Sequence, residues 1–236
     1  MANCLLCHSY YDEINSWSTL FSLSEPDPVC PTCEGKFESI DGEICTICGR
    51  PFSKISTEYR EGDLCYDCVR WQNDNRWRDV LQKNRSVFLY NDFGKEIISL
   101  YKFRGDYIVS NAFRTSLKHT FRTYYNSSYI IVPIPLSSER LYERGFNQAL
   151  VLAQLLGKPI HEILSRNHLE KQSKKSRQER METENVFQIE DRVSVKEKSI
   201  ILVDDIYTTG LTLRHAAEVL LREGAKSVSA LTLMRG

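Results

Sequence analysis

From residue 84 onward, the apolar positions switch between two periods. Residues 86–90 form a short β-type run. Residues 92–103 carry Phe93, Ile97, Leu100, Tyr101 and Phe103 on a helical repeat, with Gly105 as its expected stop. Residues 108–124 read as a second helical stretch. Residues 129–132 are apolar, mostly β-branched and closed by Pro133, as a buried strand would be. Residues 137–145 read as a charged loop, 146–156 as a helix ending at Gly157, and 160–165 as a candidate strand. Residues 199–203 are a central strand, 211–222 a helix ended by Gly224, and 227–233 a closing strand. Strands alternating with helices predict an α/β domain, its parallel sheet covered on both faces.

The first 70 residues differ. They hold few large aliphatic side chains and all eight cysteines. Over the whole chain, 31 basic residues balance 31 acidic ones. Residues 1–70 carry 5 Lys and Arg against 12 Asp and Glu, so the head is acidic and the rest basic. With 236 residues there is room for two units. The expected division is a cysteine domain at 1–70, a linker at 71–85 and an α/β domain at 86–236. Hydrophobic residues at 42% and charged residues at 26% exclude global disorder. No apolar run approaches the roughly 18 residues of a membrane span, and the start lacks a secretory pattern, so the expected compartment is the cytosol.

The cysteines come as four pairs of one spacing: Cys4 and Cys7, Cys30 and Cys33, Cys45 and Cys48, Cys65 and Cys68. Two thiolates separated by two residues fit on one turn and aim at one ion; tetrahedral zinc needs two such turns. Four pairs therefore make two structural Zn2+ sites. Four disulfides would need an oxidising compartment, against the cytosolic expectation. The spacing leaves two pairings open. Sequential ribbons close two self-contained modules; a cross-braced arrangement joins first to third and second to fourth. Four thiolates leave no open coordination position, so the sites are read as structural.

The chemistry concentrates in residues 199–213. A buried strand delivers Asp204 and Asp205 at its carboxyl end, followed by Thr208, Thr209, Gly210 and Thr212 at the mouth of a helix. Ligands of open α/β sheets sit outside the carboxyl ends of the strands. Helix N-terminal N–H groups and small hydroxyls hold phosphate, and glycine permits close backbone approach. The carboxylates suit sugar hydroxyls or a hard cation. Together these describe a ribose 5-phosphate. The bland alternative is a capped strand end followed by a turn.

This segment resembles the phosphoribosyl-pyrophosphate (PRPP) signature of type I phosphoribosyltransferases. The resemblance implies Asp204 and Asp205 on the ribose diol, Thr208, Thr209, Gly210 and Thr212 on the 5-phosphate, and Mg2+ accompanying PRPP. Tyr207 departs from the pattern, where an aliphatic residue is usual. The order of motifs narrows the resemblance: cysteine pairs, Lys-Phe-Arg-Gly-Asp (102–106), Val-Pro-Ile-Pro-Leu-Ser (132–137), Arg-Gly-Phe-Asn-Gln (144–148), a basic loop with Gln172 and Arg180, then the PRPP signature. That order is similar to the ComF family over essentially the whole chain.

The resemblance implies a cytoplasmic competence factor, working peripherally at the inner face of the cell membrane. It would assist single-stranded DNA uptake in natural transformation, with a helicase-like ATPase and a membrane channel as partners. Arg140, Arg144, Lys174, Lys175, Arg177 and Arg180 are the expected contacts to nucleic acid or pyrophosphate. The alternatives are an active phosphoribosyltransferase acting on a nucleobase and a PRPP-sensing regulator.

Overall fold

The computed structural model describes residues 2–12, 28–103, 107–125, 128–166, 186–189 and 194–236. The head is built from short pieces. Strands β1 (Ala2–Asn3) and β2 (Tyr10–Tyr11) pair antiparallel, and helix α1 (Pro31–Glu34) follows directly on Cys30. Strands β3 (Arg60–Glu61) and β4 (Leu64–Cys65) pair likewise, and α2 (Tyr66–Asn73) follows directly on Cys65. Each module thus ends its second cysteine pair inside a helix, at Cys33 and at Cys68.

The body contains β5 (Asn84–Leu89), α3 (Asp92–Phe103), a 3-10 turn at Tyr107–Phe113, α4 (Arg114–Tyr124) and β6 (Ile130–Pro133). Helices α5 (Ser138–Arg144) and α6 (Gln148–Leu155) come next, then an antiparallel pair, β7 (Leu164–Arg166) and β8 (Phe187–Ile189). Strand β9 (Ser199–Tyr207), helix α7 (Leu211–Arg222) and strand β10 (Ser227–Arg235) complete it. The sheet runs β5-β10-β9-β6, every pair parallel, as expected of apolar runs separated by helices.

Two apolar layers cover it. Ile200, Leu202 and Ala230 face Leu213, Ala216, Ala217 and Leu220 of α7. Ile201, Val203 and Leu231 face Ile97 and Tyr101 of α3, Leu117 of α4 and Leu152 of α6. This period-two division along β9 is that of a strand buried on both faces.

Three local expectations are corrected. Residues 137–145 are not a loop but carry α5: Ser137 Oγ accepts from Arg140 N at its start, and Gly145, at φ +76°, closes its end through a bond to Leu141 O. Residues 107–113 are 3-10 rather than α-helical. Strands β9 and β10 extend to Tyr207 and Arg235, beyond the expected 203 and 233. The stop expected at Gly105 lies outside the described residues.

Residues 71–85 are packed against the body. Trp71 and Trp77 are buried and meet edge-on at 5.9 Å, and Trp77 meets His215 of α7 at 4.9 Å. Arg76 grips Glu218 of α7 through two bonds of 3.0 Å. Asn84 joins the head to the sheet: its Nδ2 donates to Cys48 O and Ser86 Oγ, and its Oδ1 accepts from Thr232 Oγ1.

Candidate functional site and cysteine clusters

The cysteines pair sequentially. Cys4, Cys7, Cys30 and Cys33 form one cluster and Cys45, Cys48, Cys65 and Cys68 the other, the sulfurs of each within 4.8 Å of one another. A tetrahedral Zn–S bond of about 2.3 Å places sulfurs about 3.8 Å apart. Cys7 Sγ and Cys30 Sγ are 3.8 Å apart, and Cys48 Sγ and Cys65 Sγ 3.5 Å. Backbone N–H groups point at the sulfurs, Cys30 N to Cys4 at 3.3 Å and Cys65 N to Cys45 at 3.4 Å. Both clusters therefore fit structural zinc, and a cross-braced pairing is excluded. In the second cluster, hydrogen bonds from Cys45, Cys65 and Cys68, together with the charge of Arg235, push the Cys48 thiol far down.

The acidic pair lies at the carboxyl end of β9. Asp204 Oδ1 accepts from the N–H of Asp205 at 2.8 Å. Asp205 is buried, and its Oδ2 is 2.6 Å from Lys102 Nζ of α3. Burial first, then the charge of Asp205, raises the Asp204 carboxyl from 3.8 to about 7. Tyr101, the neighbour of Lys102, is fully buried and donates to Gln148 O at 2.9 Å, and Gln148 Oε1 accepts from Arg144 at 2.8 Å. The motif 144–148 thus has a local logic. Gly145 ends α5, Asn147 Oδ1 caps α6 at Ala149 N, and Gln148 holds the Arg144 guanidinium.

Thr208 and Thr209 are exposed, Gly210 is the N-cap of α7 at φ +76°, and Thr212 is exposed in its first turn. Thr209 Oγ1 accepts from Leu211 N at 3.3 Å. The structure adds a second reason for glycine at 210. A Cβ there would lie 2.5 Å from Arg214 Nη1 and closer still to Tyr207 Oη, so the crowding comes from beneath the loop. Tyr207 points inward, buried under the loop, and its hydroxyl accepts from Arg214 at 3.0 Å.

Of the expected basic contacts, Arg140 is exposed on α5 and Arg144 is half-buried. Lys174, Lys175, Arg177 and Arg180 lie outside the described residues. Two further basic residues join the site. Lys102 is one, and it stood in the 102–106 motif. The other is Arg166 of β7, whose guanidinium burial holds below its ordinary value, with Arg140 adding to this and Asp204 opposing. It stands against the ring of Phe187 at 5.6 Å, and nothing in its local sequence marks it. A separate cavity of about 410 Å³ lies between the head and β5 and α4, lined by Ser39, Gly49, Arg85, His119 and Tyr124 among others, and shares no residue with this site.

The profile of the phosphoribosyl transferase domain matches residues 114–236. Competence protein ComFC of Bacillus subtilis (strain 168) is 45% identical over 234 residues, 98% of this chain and 94% of its own length. This chain belongs to the ComF family. Competence protein ComFC of Streptococcus pneumoniae is 34% identical to this ComF member, over 98% of it and 99% of the relative. DNA utilization protein YhgH of Escherichia coli (strain K12) is 33% identical over 112 residues, 44% of the ComF chain and 48% of its own. A solved purine phosphoribosyltransferase from Pyrococcus horikoshii Ot3 overlaps 52% of the ComF chain and 80% of its own, at 19% identity and a TM-score of 0.34, too low to bear on function. Among the described residues, no helix of this ComF protein is long and apolar enough to cross a membrane.

Proposed function

We propose that this chain is a competence factor that assists the uptake of single-stranded DNA in natural transformation. The observation that carries the reading is similarity along 98% of the chain to two competence proteins, head and body together. Its phosphoribosyltransferase-like domain would bind PRPP or a ribose 5-phosphate. Asp204 and Asp205 would accept from the diol, and Thr208, Thr209, Gly210 and Thr212 with the α7 N-terminus would take the phosphate. Mg2+ would accompany PRPP as a charge-neutralising ion. Two zinc ions would hold the head, and a helicase-like ATPase and a membrane channel would be its partners at the inner membrane face. Arg140, Arg144, Lys174, Lys175, Arg177 and Arg180 would contact nucleic acid.

Two titrations test this. A labelled single-stranded oligonucleotide should bind with an affinity that falls steeply with salt, because each phosphate contact releases counterions. Replacing Lys174, Lys175 and Arg177 by alanine should flatten the slope by up to about two units, at roughly 0.7 per contact. An unchanged slope removes that loop from the DNA path. Calorimetry with PRPP and Mg2+ should show binding that Asp204→Ala with Asp205→Ala abolishes; absence of binding to the wild type defeats the ligand reading. A second reading, turnover with a nucleobase, is favoured by the match to the phosphoribosyl transferase domain. Release of pyrophosphate on adding a base would establish it.

A further inference from the structure

The second cysteine cluster and the loop at 207–210 share one buried side chain. Arg235, the last residue of β10, is 3% exposed. Its Nη1 donates to Tyr207 O and Thr208 O, each at 3.3 Å, and its Nη2 donates to Cys48 Sγ at 3.5 Å. Its guanidinium also stands over the Tyr207 ring at 4.8 Å. A second arginine closes the other side. Arg214 is 1% exposed, donates to Tyr207 Oη at 3.0 Å and lies 4.4 Å from the Trp71 ring, which stands on the same helix as Cys68.

Two guanidiniums are thus buried around Tyr207, and among the described residues no carboxylate forms an ion pair with either. Such charges are costly in a protein interior unless something opposite balances them. Four thiolates around one dication leave two negative charges, and Arg235 touches one of those sulfurs. Arg50, also near this cluster, is already paired with Asp67 at 3.0 Å. The first cluster has different surroundings: among the described residues, the partly buried apolar side chains packed on it are Leu6, Tyr11, Phe93 and Ala112.

We propose that Arg235 is a positioning residue, and that metal in the Cys45–Cys48–Cys65–Cys68 cluster, through it, holds the phosphate loop in its binding shape. The loaded cluster supplies the counter-charge that keeps Arg235 in place. Arg235 in turn draws the carbonyls of Tyr207 and Thr208 inward, so that these two acceptors do not face an incoming anion. Loss of this metal leaves Arg235 without its balancing charge and frees the loop; loss of the first metal does not. That the loop receives a phosphate rests on the function proposed above.

The test uses the full chain with 113Cd2+ in both clusters. Cadmium NMR should give two resonances, assigned with Cys7→His, which alters only the first cluster. Ribose 5-phosphate should move the second resonance and leave the first in place, and Arg235→Met should abolish the movement. In parallel, hydrogen exchange of the ligand-free protein is followed by mass spectrometry. Arg235→Met should speed exchange of residues 207–213 at least tenfold and leave residues 114–124 unchanged. Arg235→Lys, which keeps the charge but cannot bridge carbonyls and sulfur at once, should fall between. It also serves as the variant should Arg235→Met not fold. Unchanged loop exchange in these variants overturns the proposal, as does a second resonance unmoved by a ligand that calorimetry shows to bind. If calorimetry shows no binding to the wild type, the phosphate reading fails, while the exchange experiment still decides the role of Arg235.

Discussion

Replacing Asp204 by asparagine should make the protein more stable at neutral and alkaline pH. In the folded chain, burial and the neighbouring Asp205 raise the Asp204 carboxyl from 3.8 to about 7. Between those values the folded state holds a proton that the unfolded chain gives up. Stability therefore falls as pH rises through this window and stays low above it. Roughly three pH units at about 1.36 kcal/mol each give about 4 kcal/mol; partial solvent access to Asp204 brings this to about 2–4 kcal/mol. Asparagine cannot ionise, yet its Oδ1 keeps the acceptor that the N–H of Asp205 uses at 2.8 Å. Urea unfolding of the zinc-loaded proteins, followed by tryptophan fluorescence, gives the comparison. Near pH 5 the variant should already lead by about a third of the full amount, since the unfolded carboxyl ionises from 3.8 upward. By pH 8, above both values, the variant should lead by the full amount, about 2–4 kcal/mol. The same variant should bind ribose 5-phosphate more weakly, having lost a charged acceptor. Taking the difference between the proteins removes the pH dependence of the thiolates, which both share. A stability difference independent of pH would refute the reasoning.

Three further outcomes are expected. Native mass spectrometry should find two zinc ions per chain, and Cys45→Ser should retain one and aggregate, since metal binding and folding are one process in such modules; two retained ions would contradict it. Lys102→Met, which removes the cation 2.6 Å from Asp205, should weaken ribose 5-phosphate binding roughly ten- to a hundred-fold, as loss of about 1.5–3 kcal/mol of charge-assisted bonding implies; calorimetry checks it. Glu218→Gln should lower stability by about 1.5–3 kcal/mol, because Glu218 is buried and takes bonds from Arg76 and Arg222; an unchanged melting temperature would mean that the 71–83 segment is pinned by its tryptophans alone.

The sheet could be read in the sequence because β6, β9 and β10 are apolar on both faces, a pattern few other elements share. Helix α7 was legible to the residue, bounded by Gly210 and by Gly224 just beyond its end. Helix α5 was not. Its interior is charged and exposed, so it lacks an apolar stripe, and only its capping residues Ser137 and Gly145 announce it. The cysteine spacing indicated two metal sites but not the pairing, which depends on how far the chain returns between turns. In the site, Asp204, Asp205 and the hydroxyl loop are contiguous and visible. Lys102, Arg166 and Arg235 come from three separate elements, and only the packing of those elements brings them to the acids and the loop. A further constraint at Gly210 was hidden, because the crowding comes from Tyr207 and Arg214, both in its own neighbourhood but facing the core.

The strand order has a consequence for how the chain assembles. Strand β5, which adjoins the cysteine head, hydrogen-bonds to β10 and to no other strand of the sheet. Ser86 and Thr232, which meet across that pair at 2.7 Å, are 146 residues apart in the chain. The cysteine turns, by contrast, close over short loops and can take metal early. The head can therefore be complete while the strand beside it still waits for its partner. Parallel pairing at such separation is slow, because a long loop must close before any contact rewards it. During that interval both β5 and β9 present unpaired edges of the kind that join neighbouring chains. Yield at high expression is then set by how long β10 takes to arrive, and extra zinc in the medium does nothing to shorten the wait.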